Sequence, residues 1–284
     1  MKPAPFTYFR PSNVAEMLEI LAKHGEDGKV LAGGQSLVAA MNFRLARPSI
    51  LFDANDLHEL EYLRKDGDLL RVGALTRHAA FHRPVVETPL GTLLATVVSH
   101  IAHYPIRQRG TFGGSLVHAD PAAEWCLVAT TLDAEIVIRN RESERVVRPP
   151  HFFRGIFSTD LKSNELVTEI RLPLLGADWH TGFYEFARRA GDFALAMSLV
   201  ALRVIDGHIS EARLGLGGVS DRAIRLNSLE QQLIGHAPSM QLCSEIGEAA
   251  REAVEPIADI HGSKEYRRDL IGTVVSRALA SAIP

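Results

Sequence analysis

The chain has 284 residues, 46% hydrophobic and 23% charged, a net charge of -3 and two cysteines. At roughly 100–200 residues per domain this length implies two domains, and the apolar share supplies a globular core. A charge near zero argues against nonspecific nucleic-acid binding, and no stretch approaches the ~20 apolar residues of a membrane-spanning helix.

Cys126 and Cys243 have no CxxC partner, so they furnish neither an iron–sulfur cluster nor a disulfide framework. The twelve histidines are scattered without metal spacing, and no zinc site is expected. The opening MKPAPFTYFRPSN has no apolar h-region, so a secretory leader is not expected and the expected compartment is the cytoplasm.

In chain order, Ser12 reads as the N-cap of a helix over 14–23, with Val14, Met17, Leu18 and Leu21 at helical spacing. A short strand over 29–31 enters Ala-Gly-Gly-Gln-Ser, a helix resumes over 36–42, and 49–53 reads as a buried strand. That order suits a small parallel sheet with a crossover. Strands follow over 69–74, 135–139, 145–148 and 166–172, with apolar helices over 88–103 and 122–132 and a hairpin link over 140–144. Pro173 to Asp178 marks a boundary, dividing 1–176 (itself 1–55 and 56–176) from 177–284. Beyond it come strands over 182–189, 194–205 and 209–217, with Asp206-Gly207 as a hairpin turn. Helices over 228–234, 240–254 and 266–281 complete the chain.

Two glycine pairs stand out. In Leu31-Ala32-Gly33-Gly34-Gln35-Ser36-Leu37 a strand ends in adjacent glycines that let backbone amides approach a ligand. The segment reads equally as a tight turn with Ser36 as N-cap or as a phosphate site. Thr111-Phe112-Gly113-Gly114-Ser115, about eighty positions on, adds hydroxyl donors and suggests a second wall for a diphosphate. Neither pair matches GxGxxG or GK[ST], which disfavours a Rossmann dehydrogenase or a P-loop ATPase. Asp120 reads as a cap ahead of Pro121, or with Glu124 as an acceptor for a nucleotide hydroxyl. Arg107 and Arg109 suit either phosphate or surface carboxylates, and the turn over 187–194, containing Phe193, reads either as a cover for a cofactor ring or as an ordinary strand connection.

These segments, with HADPAAE, FSTDLKSNELVTEIRLP, RRAGDFALA and LGLGGVSDRAIR, resemble the FAD-binding medium subunits of molybdenum hydroxylases. That family includes carbon monoxide and xanthine dehydrogenases, and the similarity is greatest to the quinoline, nicotine and caffeine enzymes. The resemblance spans essentially the whole chain. It implies an α+β fold: a two-part FAD-binding domain of the vanillyl-alcohol-oxidase/PCMH type, then a small antiparallel sheet with a C-terminal helical bundle. It also implies non-covalent FAD in this chain, a large molybdopterin-binding subunit and a small [2Fe-2S] subunit. The assembly implied is a dimer of heterotrimers that passes electrons through FAD to an external acceptor while an organic substrate, N-heteroaromatic by likeness, is hydroxylated. A self-contained FAD oxidase or dehydrogenase is the competing reading.

Carried over residue by residue, the first diphosphate segment falls on Ala32, Gly33, Gly34, Gln35 and Ser36, flanked by Leu31 and Leu37, and the second on Thr111, Gly113, Gly114 and Ser115. Glu124, with Asp120 beside it, matches the acidic position near adenosine, and either Leu161 or Leu166 packs on adenine. Ile101 and Ala102 face the isoalloxazine ring, and Phe193 stands where several relatives have tyrosine. Many relatives also carry a lysine near Glu185. With Gln35 in the first segment in place of histidine, covalent flavin attachment there is not expected.

Overall fold

A computed structural model describes residues 2–284. The N-terminal part opens with β1 (Thr7–Phe9), α1 (Val14–His24), β2 (Gly28–Leu31), α2 (Leu37–Asn42) and β3 (Ile50–Asp53). The three strands form a parallel sheet in the order β1-β3-β2, the crossover topology the sequence predicts plus a strand it does not reveal. Helix α1 buries its stripe of Val14, Met17, Leu18 and Leu21. Its N-cap is Asn13, whose side chain accepts from the Glu16 amide, rather than Ser12. Ser12 instead donates to the Glu16 carboxylate, closing the same turn from the other side.

The second part contributes β4 (Leu63–Asp66), β5 (Leu69–Gly73), α3 (Pro89–His100), α4 (Tyr104–Arg107), α5 (Phe112–His118) and α6 (Glu124–Thr131). It continues with β6 (Glu135–Arg139), β7 (Glu144–Val147), α7 (Pro149–Phe152), β8 (Phe153–Gly155), β9 (Ser158–Thr159) and β10 (Leu166–Pro173). Five of these strands make an antiparallel sheet ordered β4-β5-β10-β6-β7. Glu169 on β10 is buried yet triply held, by Arg71 at 2.7 Å, Arg171 at 2.6 Å and the Tyr62 hydroxyl at 2.6 Å, which meets the requirement that buried charge be paired.

The last part is a four-stranded antiparallel sheet, β11 (Trp179–Phe186), β12 (Ala196–Ile205), β13 (His208–Gly217) and β14 (Ile224–Arg225). Asp206 and Gly207 both take positive φ, 50° and 77°, as a tight hairpin turn needs. Helices α8 (Asn227–Leu233), α9 (Met240–Ala253) and α10 (Lys264–Ser281) bury their apolar residues against one face of this sheet. Phe183, Met197, Leu199 and Ala201 on its other face join the core formed by α3, α5 and α6. The sheet therefore carries the rigid wall onto which the helices of the central part dock. No helix among the described residues is long and apolar enough to cross a membrane.

Candidate functional site

The sheet β1-β3-β2 ends at a turn whose backbone is left open. The amides of Ala32, Gly33, Gly34, Gln35, Ser36 and Leu37 have no hydrogen-bond acceptor among the described residues. Ser36 sits at the N-cap position of α2, but its side chain makes no capping bond, so the bland turn reading leaves these donors unexplained. Gly34 has φ of 73°, and the Gln35 side chain folds back to donate to the Gly33 carbonyl at 3.0 Å. Gly33 is buried and the rest of the run is half-buried or exposed, so these open amides at the start of α2 are free to meet an anion.

The second glycine pair lies against the first. A Cβ on Gly33 would overlap the Arg109 carbonyl oxygen and lie 2.7 Å from the Gly110 Cα, and one on Gly114 would lie 3.7 Å from the Ala32 Cβ. The two segments thus form facing walls. The second is not a loop, however: Gly113 and Gly114 lie in the first turn of α5, with Thr111 as N-cap. Its amides are already engaged, Gly113 to the Ala74 carbonyl at 2.9 Å, Gly114 to the Thr111 Oγ1 at 3.1 Å and Ser115 to the Thr111 carbonyl at 3.0 Å. This corrects the expectation that both segments offer backbone amides. The amides left free are therefore those of the first wall, and the hydroxyls of Thr111 and Ser115 are the remaining donors of the second. Thr111→Ala is expected to cost about 1 kcal/mol through loss of the cap, with Thr111→Ser restoring it, as read by denaturant unfolding of the flavin-free chain.

Two residues that sequence reasoning did not single out fasten these walls together. Arg77 donates through Nη1 to the Arg109 carbonyl at 2.5 Å and through Nη2 to the Asn55 Oδ1 at 2.8 Å. Asn55 in turn donates to the Ala32 carbonyl at 3.0 Å, and Asp53, which accepts from the Asn55 amide at 2.9 Å, holds it in place. Arg107 pairs with no carboxylate among the described residues: its Nη1 donates to the carbonyls of Ile101 and Ala102 at 2.8 and 2.9 Å. It thereby fixes the bend after α3 at which Ala102 has φ of 42°.

Asp120 does not cap α6. It accepts from the Ala122 amide at 2.9 Å in a local turn, and the helix begins three residues later with Ala123 as N-cap. Glu124 opens that helix with its carboxyl pushed up to about 7, first by burial and then by Asp120. The 187–194 turn lies over Ala102: a Cβ on Gly191 would overlap the His103 ring and sit 3.1 Å from the Ala102 carbonyl oxygen. Ile101 is buried, and Phe193 is 75% exposed at the rim of that turn. Leu166 is buried among the residues packed on α1, whereas Leu161 is half-buried against the central core.

The family described as the FAD binding domain in molybdopterin dehydrogenase matches residues 4–175, and the CO dehydrogenase flavoprotein C-terminal domain matches residues 181–282. The chain belongs to the FAD-binding medium subunits of the molybdenum hydroxylases. It is similar to caffeine dehydrogenase subunit beta of Pseudomonas sp. (strain CBB1), 38% identical over 99% of this chain and 96% of that one. It is also similar to the nicotine 6-hydroxylase medium subunit of Paenarthrobacter nicotinovorans, 35% identical over 99% of each chain. Among solved structures, quinoline 2-oxidoreductase from Pseudomonas putida 86 superposes with a TM-score of 0.94 at 34% identity, covering 99% of this chain and 98% of that one. The chain is a flavoprotein subunit of an oxidoreductase, and the open amides of 32–37, set beside Gly114 of α5, fit the diphosphate of the FAD that its domain binds.

Proposed function

We propose that this chain is the electron-transfer subunit of a heterotrimeric molybdenum hydroxylase, with residues 1–176 holding FAD and 177–284 backing that site. Its partners are a large molybdopterin-binding subunit and a small [2Fe-2S] subunit, assembled as a dimer of heterotrimers. The organic substrate is N-heteroaromatic, as the names of the caffeine and nicotine relatives suggest for this chain, and the final acceptor is external. Bound FAD supplies a centre that takes electrons singly and hands them on in pairs.

The observation that carries this reading is the run of open amides at 32–37 set against the α5 wall. Those amides hold the diphosphate with charge-assisted hydrogen bonds, and the hydroxyls of Thr111 and Ser115 close the other side. Ile101 and Ala102, fixed by Arg107, orient the isoalloxazine ring, with Phe193 over its rim. Glu124 and Asp120 lie toward the adenosine end. Leu161 packs on adenine, because it keeps open surface while Leu166 is committed to the α1 core.

The test is co-expression with the large and small subunits proposed as its partners. Flavin reduction by substrate in the full assembly, and none in an assembly whose small subunit lacks its clusters, is the expected result. Flavin reduction by an organic substrate in the isolated chain would establish a self-contained dehydrogenase instead.

A further inference from the structure

Helix α2 joins the turn of open amides to an exposed apolar end. Its first turn lies against the amides: a Cβ on Gly34 would sit 3.2 Å from the Val38 Cγ2. Met41 is buried and anchors the helix. The chain then leaves α2 through two paired bonds, from the Arg44 amide to the Met41 carbonyl and from the Leu45 amide to the Ala40 carbonyl, each 2.9 Å. That pairing closes a helix on a left-handed residue, for which glycine is the usual choice. Here Arg44 takes the position, with φ of 59°.

The side chains of this turn do not serve the fold. The residue after the left-handed one commonly packs an apolar side chain back on the helix, yet Leu45 is 85% exposed. Phe43, on the other side of Arg44, is 68% exposed. Single apolar residues scattered over a surface need no explanation, but two flanking a strained arginine on one fixed turn do. Arg47 folds back to donate through Nε to the Arg44 carbonyl at 2.9 Å, bringing a second guanidinium to the same end of α2. Neither Arg44 nor Arg47 forms an ion pair among the described residues. Lys29 lines a shallow cleft with Leu45 and Arg47, shared with Asp27 and with Glu26, which accepts from the Ser163 hydroxyl at 2.5 Å.

We propose that this end of α2, Phe43 and Leu45 framed by Arg44 and Arg47, is the docking surface for the small [2Fe-2S] subunit of the assembly proposed above, on which this inference rests. An aromatic and an aliphatic side chain beside arginines have the composition of an interface centre. Charge selects the partner. Four thiolates and two sulfides outweigh two ferric ions, so a [2Fe-2S] chain that brings its cluster to a contact makes that contact anionic. Two unpaired guanidiniums on the facing surface complement it. Position selects the same partner. From Leu37 to Leu45 the helix and its closing turn span at most about 13 Å at 1.5 Å per residue, so a chain seated here lies beside the turn assigned to the flavin diphosphate. In that assembly electrons leave the large subunit through the clusters, so the large subunit needs no seat beside the flavin.

The experiment uses the three chains co-expressed, with the photoreactive p-benzoylphenylalanine in place of Phe43. Irradiating the purified assembly is expected to join this chain to the small subunit, in a product whose peptides come from those two chains. A product with the large subunit, a product with a second copy of this chain, or no product overturns the proposal.

A second variant reads the energetics. Phe43→Ser combined with Leu45→Ser removes both apolar anchors and leaves the open amides untouched. In material recovered through a tag on this chain, iron per flavin is expected to fall about tenfold or more, with flavin per chain and thermal melting of the isolated chain unchanged. Iron that stays at the wild-type level overturns the docking surface. So does a parallel loss of flavin, which would make this turn part of the flavin site instead. Wild-type material that carries no iron would overturn the three-subunit assembly itself, and this inference with it.

Discussion

Replacing Gly33 with valine is expected to abolish flavin retention. The position is buried where the two walls touch, and its Cβ would overlap the Arg109 carbonyl oxygen, a backbone atom that cannot rotate away. Valine adds two further carbons at the branch, so the 32–37 turn must swing away from α5 or change its backbone path. Either response moves the open amides relative to the Ser115 hydroxyl. Each charge-assisted hydrogen bond lost costs roughly 1.5–3 kcal/mol, and losing two of them weakens binding more than a hundredfold. The visible flavin absorbance of the purified variant, and an FAD titration of its apoprotein, read this directly. A variant that emerges as yellow as wild type would show that the diphosphate lies elsewhere. Far-ultraviolet dichroism of the apoprotein guards against a trivial loss of fold, which matters because Ala32 beside Gly33 packs on the core around Phe52.

The glycine-bearing turn was legible because everything that defines it is local: a short strand ending in Val30 and Leu31, adjacent glycines and a resumed helical period within about ten residues. The same locality explains the errors. Gly113-Gly114 reads as a loop because glycine disfavours helix by about 1 kcal/mol per residue, yet here the Thr111 cap and the burial of Phe112 and Leu116 hold α5 together. Pro121 reads as the first residue of a helix, but Asp120 uses its carboxylate on the Ala122 amide and delays the helix to Glu124. Strand β1 is three residues long with only Phe9 half-buried, so it carries no periodicity, and only pairing with β3 makes it a strand.

Long-range partners were illegible in a different way. Arg77 is 22 residues from Asn55 and 32 from Arg109, and nothing in the text around it distinguishes it from a solvated arginine. Glu185 lies in an alternating strand and would read as a solvent-facing acid, until α3 and α6 dock on that face and seal it. Sequence patterning thus shows where a backbone opens, and the docking of distant elements decides which side chains hold it open.

Arg77 provides the sharpest test of that distinction. Its guanidinium links Arg109 of the second wall to Asn55, and Asn55 links onward to Ala32 of the first, so the two residues act as one strap. Arg77→Lys keeps a positive charge near the diphosphate but cannot reach both oxygens in the planar fork that arginine supplies. If the strap positions the walls, lysine and glutamine at position 77 are equally poor, each weakening FAD binding by about tenfold to a hundredfold, for ~1.5–3 kcal/mol. If Arg77 acts only through its charge, the lysine variant binds like wild type. Asn55→Ala is expected to lose less, because the Arg77 bond to the Arg109 carbonyl survives it. Combined with Arg77→Gln, it should add little, since residues in one hydrogen-bond chain are not independent. FAD titrations of the four chains give the coupling, and flavin-free melting curves show how much of each loss belongs to the fold. Two losses that simply add would mean that Arg77 and Asn55 touch the flavin site separately, and the strap would have to be given up.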